Sequence, residues 1–149
     1  MKGRVLLIGL LLILILQLWV LPAFATDQPA PVYPEDLQWR SVPAVAGLQI
    51  AWVLGEEQAA GPYLVRIKLA QGARIPPHIH PDERNTTVLS GHLLVGFGEL
   101  FDESKMVELG PGAVYVAPAG TPHYLWARDA ATVYQESGIG PSGLRMVKP

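Results

Sequence analysis

Short runs of aliphatic, β-branched and aromatic residues, separated by glycine and proline, make up most of the chain beyond residue 37. This region has no apolar stripe at 3.6-residue spacing that lasts more than two turns, which disfavours amphipathic helices. The run from Tyr63 to Leu69 alternates most clearly, with an apolar residue at every odd position and Arg66 and Lys68 between them. Such runs restrict the chain to an all-β sandwich or barrel.

Seven runs are predicted to be strands. They are Leu48–Leu54, Tyr63–Leu69, Thr86–Phe97, Ala113–Ala117, Tyr124–Ala127, Thr132–Glu136 and Leu144–Val147. Gly96 and Gly98, on either side of Phe97, predict a bend or bulge at the end of the third run. Residues 102–107, DESKMV, are polar enough for a turn or one short helical turn.

The first 25 residues have the three parts of a secretory signal peptide. A positively charged start is followed by the apolar run Val5–Leu21 and by the small-x-small site Ala23–Ala25. The apolar run is shorter than the ~20 residues of a spanning helix, so cleavage after Ala25 is favoured over an uncleaved anchor. The sequence thus predicts signal peptide 1–25, a proline-rich spacer 26–36, a single domain 37–149, and export to the periplasm or cell exterior without a membrane anchor.

Charge and cysteine content exclude two kinds of interaction. The formal net charge is −2, and loss of Lys2 and Arg4 with the signal peptide would make it −4. A mildly acidic chain without a basic run lacks the positive surface that nucleic-acid binding requires. Since the chain contains no cysteine, it forms no disulfide, and any metal must be held by histidine and carboxylate side chains.

Two histidine motifs could form one metal site. The first, PPHIHPDERNTTVLSG over residues 76–91, places His78 and His80 on the same face of an extended segment. Taken alone, it is either half of a metal site or a polar turn. The second, GAVYVAPAGTPH over residues 112–123, is a glycine, a short apolar strand and a Pro-x-Gly turn that ends in His123.

Together the two motifs resemble those of the cupin superfamily, specifically a small single-domain bacterial cupin of the type-2 kind. The first motif is matched by Gly72, His78, His80 and Gly91. The second is matched by Gly112, Pro118, Gly120 and His123, with Ala127 in place of its final asparagine. The resemblance implies a conical jelly-roll β-barrel, also called a double-stranded β-helix, in which His78, His80 and His123 bind one divalent transition metal ion.

The fourth ligand of the family's first motif is a glutamate, but Arg84 stands at that position and Glu83 lies one residue earlier. Arginine cannot ligate, and a divalent ion about 5 Å away would repel it by about 7 kcal/mol, so Arg84 is expected to point away from the metal. Three arrangements remain open. Glu83 turns inward as a ligand or base, three histidines and water hold the metal, or a metal-free site uses Arg84 to bind an anion.

Four aromatic residues are candidates for the wall of a ligand cavity, with core packing as the alternative for each. They are Tyr115, Tyr124, Trp126 and Tyr134. The leading functional hypothesis is an exported oxidoreductase, similar to a dioxygenase, that uses Fe, Mn, Ni or Cu on a small molecule. Zinc would suit isomerase or hydrolytic chemistry. The alternatives are a non-catalytic cupin that binds or senses a small molecule, and a purely structural barrel; exposed sheet edges would allow a homodimer.

Overall fold

Eleven strands and two 3₁₀ turns lie within residues 30–148, the part of the chain that this computed structural model describes. The strands are β1 (Arg40–Ser41), β2 (Leu48–Leu54), β3 (Gly61–Leu69), β4 (Arg74–Ile79), β5 (Arg84–Ser90), β6 (Leu93–Phe97), β7 (Val107–Leu109), β8 (Val114–Ala117), β9 (His123–Trp126), β10 (Thr132–Gly140) and β11 (Arg145–Met146). The 3₁₀ turns are Pro34–Asp36 and Glu103–Lys105. The second of these confirms the short helical turn predicted within residues 102–107.

The strands form two antiparallel sheets, which confirms the predicted jelly-roll barrel. The six-stranded sheet has the order β1-β2-β3-β10-β5-β8, and the five-stranded sheet has the order β11-β4-β9-β6-β7. The odd-numbered residues of β3 face the core, as their alternation predicts, and Leu69 is fully buried. Side chains from both sheets complete this core, among them Val88, Leu93, Leu125 and Tyr134.

One predicted strand is divided in two. The run from Thr86 to Phe97 belongs to β5 and β6, which lie in different sheets and are joined by a turn at Gly91. Gly91 has a φ of +73°, and a Cβ there would collide with the carbonyl oxygen of Ala131. A side chain is therefore excluded for both conformational and steric reasons.

One strand that holds the site was not predicted. Strand β4 contains Pro76 and Pro77, which lack the amide hydrogen that a strand interior normally uses. The pairing of β4 with β9 shifts register between Ile75 and His78, so the two prolines fall at an irregularity where no ladder hydrogen bond is required. The prolines stiffen the strand without breaking the sheet.

The whole predicted signal peptide, 1–25, and the first four residues of the predicted spacer lie outside the described residues. Residues 30–36 are exposed, and Leu37 is the first buried side chain. Within 30–148, no helix has the length and apolar character needed to cross a membrane.

Candidate metal centre

Strands β4 and β9 bring three histidines together inside the barrel. His78 lies opposite His123 in the pairing of these two strands. His80 comes directly after Ile79, the last residue of β4. The ring centroids of His78 and His123 are 4.3 Å apart, and His80 lies 5.0 and 5.4 Å from the two. All three side chains are buried, and each offers one ring nitrogen to a group whose atoms lie within 4.8 Å of one another. The predicted three-histidine cluster is present.

Backbone carbonyls fix the tautomer of each imidazole. The Nδ1 atom of His78 lies 2.8 Å from the carbonyl oxygen of Pro76. His80 Nδ1 lies 2.6 Å from the carbonyl oxygen of Gly143, and His123 Nδ1 lies 3.0 Å from that of Thr121. A carbonyl oxygen only accepts, so each Nδ1 carries the hydrogen and each Nε2 keeps its lone pair. This is the arrangement in which histidine ligates a metal through Nε2.

The Nε2 atom of His123 provides a test of whether a metal fits. This atom is buried and has no hydrogen-bond partner among the described residues. A buried polar atom without a partner carries a free-energy cost that a native site normally relieves. A cation bound by three imidazole lone pairs would relieve it, so the donor set fits a transition metal ion.

Burial keeps the three imidazoles neutral. Desolvation, assisted by the charge of His123, lowers the pKa of His78 to about 3, and desolvation with the charge of Arg84 lowers the pKa of His80 to about 4. Desolvation also lowers the pKa of His123. The ligating form is therefore the stable one at neutral pH.

These pKa shifts predict that the metal-free protein loses stability as the pH falls below about 6.5. Unfolded histidines take up protons near pH 6.5, whereas the folded state resists protonation until a pH near the lowered values of 3 to 4. Protons therefore bind preferentially to the unfolded chain across this window. Calorimetry at pH 7 and 4.5 should show a decrease in melting temperature of at least about 5 °C.

The variant His78→Asn is the control for that decrease. Its amide can still donate to the Pro76 carbonyl, but it has no group that titrates in this range. Its melting temperature should depend less steeply on pH. Equal pH dependence in the wild type and His78→Asn would contradict the assignment.

Of the three arrangements left open, the one in which Glu83 turns inward as a ligand or base does not match the structure. Glu83 is exposed, whereas Arg84, the first residue of β5, is buried. Strand alternation explains this, because adjacent residues face opposite sides of the sheet. Glu83 is not part of the histidine group.

Arg84 faces the barrel interior and lines the same cavity as His78 and His80. That it points away from a bound metal stays a prediction. Its Nη1 donates to Oε2 of Glu136 at 2.9 Å, and both side chains are almost wholly buried. Burial acts to lower the pKa of Arg84, but the charge of Glu136, with Tyr63 and Asp82, outweighs it and raises that pKa. Because Glu136 compensates the arginine, Arg84 is not a free anion-binding group.

A cavity of about 210 Å³ lies beside the cluster. Its polar part is formed by His78, His80, Glu57, Arg84 and Glu136. Its apolar wall includes Ile50, Trp52, Val65, Ile67, Ile75, Tyr134, Leu144 and Met146. A cavity of this kind suits a compact organic molecule with an apolar body and one polar end.

Tyr134 lines this cavity, but the other three predicted aromatic residues do not belong to its wall. Tyr124 and Trp126 alternate with His123 and Leu125 along β9, so they lie on the opposite face, where both rings pack near Phe101. Tyr115 faces inward but packs against the core and against Phe97. Core packing, the alternative given above, describes these three residues.

Two parts of the site were missed from sequence. Glu136 ends a predicted strand in which it alternates with Thr132 and Tyr134 on one buried face. This alternation could have predicted that the Glu136 side chain points into the barrel. The loop that contains Ser142 and Gly143 carried no signal, because glycine and serine between strands are typical of any turn.

A family model matches nearly half of the chain. The Cupin_2 model, described as a cupin domain, matches residues 65–134. Germin-like protein subfamily 1 member 1 of Arabidopsis thaliana is 34% identical over 87 residues, which are 58% of this chain and 38% of the relative. The chain spans only 33 to 40% of the curated germin-like relatives it matches.

Solved structures share the fold. The polyketide cyclase RemF from Streptomyces resistomycificus superposes with a TM-score of 0.70 at 20% identity, over 82% of this chain and 87% of that protein. Oxalate oxidase in complex with the substrate analogue glycolate gives a TM-score of 0.50 at 28% identity, over 58% of this chain and 46% of that one. The first of these likenesses concerns the barrel alone.

Proposed function

Because this chain belongs to the cupin superfamily, we propose that it is an exported, metal-dependent oxidoreductase that acts on a small organic molecule. In this proposal His78, His80 and His123 hold one divalent transition metal ion. The signal-peptide pattern of residues 1–25 supports export.

The observation that carries the proposal is the geometry of the three imidazoles. Each is buried, neutral and fixed by a carbonyl at Nδ1, and the Nε2 atom of His123 has no partner among the described residues. A transition metal held by three neutral imidazoles supplies redox or Lewis-acid chemistry at a centre with open coordination positions. The likeness to oxalate oxidase supports oxidation as the reaction class.

The residues around the centre select and orient the substrate. The apolar wall, with Ile50 and Trp52, excludes water and packs against the body of the molecule. The polar end of the molecule then faces His78, His80 and Glu136. Two carboxylates line the cavity, Glu57 and Glu136. Glu136 is the buried one and can accept a proton from the substrate while Arg84 steadies its position. A hydroxy or carboxylic acid with an apolar side group matches this cavity.

Elemental analysis of protein isolated without added metal tests the proposal. The expected result is close to one transition metal ion per chain, and oxygen uptake with a panel of small hydroxy and carboxylic acids that ceases when a chelator removes the ion. Protein that holds no Fe, Mn, Ni, Cu or Zn, even after incubation with each, would refute it.

A non-catalytic binding cupin is the second candidate, favoured by the mainly apolar cavity and by the ion pair that engages Glu136. An isomerase that uses zinc would share the same ligands. Calorimetric binding of a small acid with neither oxygen uptake nor product formation would favour the binding protein. Product formation without oxygen uptake would favour the isomerase.

A further inference from the structure

We propose that Ser142 and Arg84 are positioning residues for the His80 imidazole. They fix the loop Pro141–Leu144, whose Gly143 carbonyl oxygen accepts from His80 Nδ1. The inference rests on the proposed metal site, and it gives a role to the arginine that occupies the position of the family's carboxylate ligand.

His80 is supported differently from the other two histidines. His78 and His123 each donate to a carbonyl two residues earlier in their own segment, at Pro76 and Thr121. The acceptor for His80 lies 63 residues away in sequence, at Gly143. The orientation of His80 therefore depends on where a remote loop is held.

Backbone hydrogen bonds hold the two sides of this loop. The amide of Ser142 donates to the carbonyl of Glu57 at 2.7 Å. Beyond the loop, β11 pairs with β4, with Met146 opposite His78, and the amide of Val147 donates to the carbonyl of Pro77 at 2.9 Å. These bonds hold the loop against β4 and the segment around Glu57, but none of them contacts His80.

The side chain of Ser142 makes the connection to the interior. Its hydroxyl accepts from Arg84 Nη2 at 2.9 Å and donates to Oδ1 of Asp82. Asp82 also accepts from the hydroxyl of Tyr63. Arg84, in β5, also donates to Glu136, in β10, and Tyr63 lies in β3. Through these polar side chains the Ser142 hydroxyl is connected to β5, β3 and β10.

The fixed fork of arginine is needed for this role. One guanidinium nitrogen reaches Glu136 and the other reaches Ser142, each at 2.9 Å. Lysine would keep the positive charge but has one nitrogen at the end of a flexible chain. A carboxylate at this position, as in the family motif, could not donate to either partner.

Cobalt(II) titrations of the full chain test the proposal, with metal affinity and the visible absorption spectrum of the bound ion as readouts. Ser142→Ala and Arg84→Lys should each bind Co²⁺ about tenfold more weakly or worse, with altered spectra, because loss of a ligand's supporting hydrogen bonds costs 10- to 100-fold in affinity. Ser142→Thr keeps the hydroxyl and should restore the wild-type spectrum.

The matched control is Arg66→Lys. Arg66 Nε donates to Oε1 of Gln135 at 3.2 Å, across β3 and β10 of the sheet that also holds Arg84, but on the side away from the core. Its Co²⁺ affinity and spectrum should equal those of the wild type. A folded Ser142→Ala protein with unchanged affinity and spectrum would overturn the positioning role, whatever Arg84→Lys does. Wild-type protein that binds no Co²⁺ would instead overturn the metal site itself.

Discussion

Replacing His123 with alanine should lower the affinity of the chain for a divalent transition metal by roughly a thousandfold. Metal binding at a complete protein site is worth about 12 kcal/mol, so one of three protein ligands accounts for about 4 kcal/mol. His123 has the buried Nε2 atom that no described residue satisfies, and it is the candidate ligand contributed by β9. His78→Ala should behave in the same way.

Competition against a chromophoric chelator measures this loss directly, and His92→Ala is the matched control. His92 is the remaining histidine of the four in the chain, and it is exposed. Its replacement should leave both metal content and affinity unchanged. If His123→Ala and His92→Ala retained the same metal affinity, the three-histidine centre would be the wrong site.

The sequence predicted the barrel because its strands obey two local rules. Alternation with period two identified β3, and glycine or proline marked most of the ends. The prediction failed at β4, where Pro76 and Pro77 resemble a strand break, and at Gly91, where an uninterrupted apolar run hides a change of sheet. Both errors arise because strand pairing depends on residues distant in sequence, which the local composition does not reveal.

The positions of the three histidines could be predicted from the sequence, but the other parts of the candidate site could not. His78 and His80 share a face by alternation, and the second motif supplied His123. The same alternation, applied to β9, would have placed Tyr124 and Trp126 on the far side from His123. The partner of Arg84 was harder to find, because Glu136 lies 52 residues away and comes beside β5 only through the pairing of β10 with it.

Replacing Arg84 with alanine should destabilise the domain by about 3 to 5 kcal/mol, because Glu136 would be left as an uncompensated charge in the barrel. Glu136 has only one other hydrogen-bond donor among the described residues, the Thr86 hydroxyl at a long 3.5 Å. Glu136→Ala should cost less, because Arg84 keeps Asp82 at 3.8 Å and Glu57 at 3.9 Å as ion-pair partners. Urea unfolding of the metal-free variants at pH 7 measures both changes without any contribution from bound metal.

The double variant Arg84→Met with Glu136→Met separates the charge from the space that the pair fills. Removing both charges together removes the desolvation cost of each, and methionine keeps most of the volume, so the double variant should be within about 1 kcal/mol of the wild type or more stable. It would nevertheless lack the hydrogen bond from Arg84 to Ser142 and should bind Co²⁺ more weakly. A double variant less stable than either single variant would show that the pair contributes more than mutual neutralisation. If the double variant is as stable as the wild type but binds Co²⁺ more weakly, the role of Arg84 is to support the metal site and not to stabilise the fold.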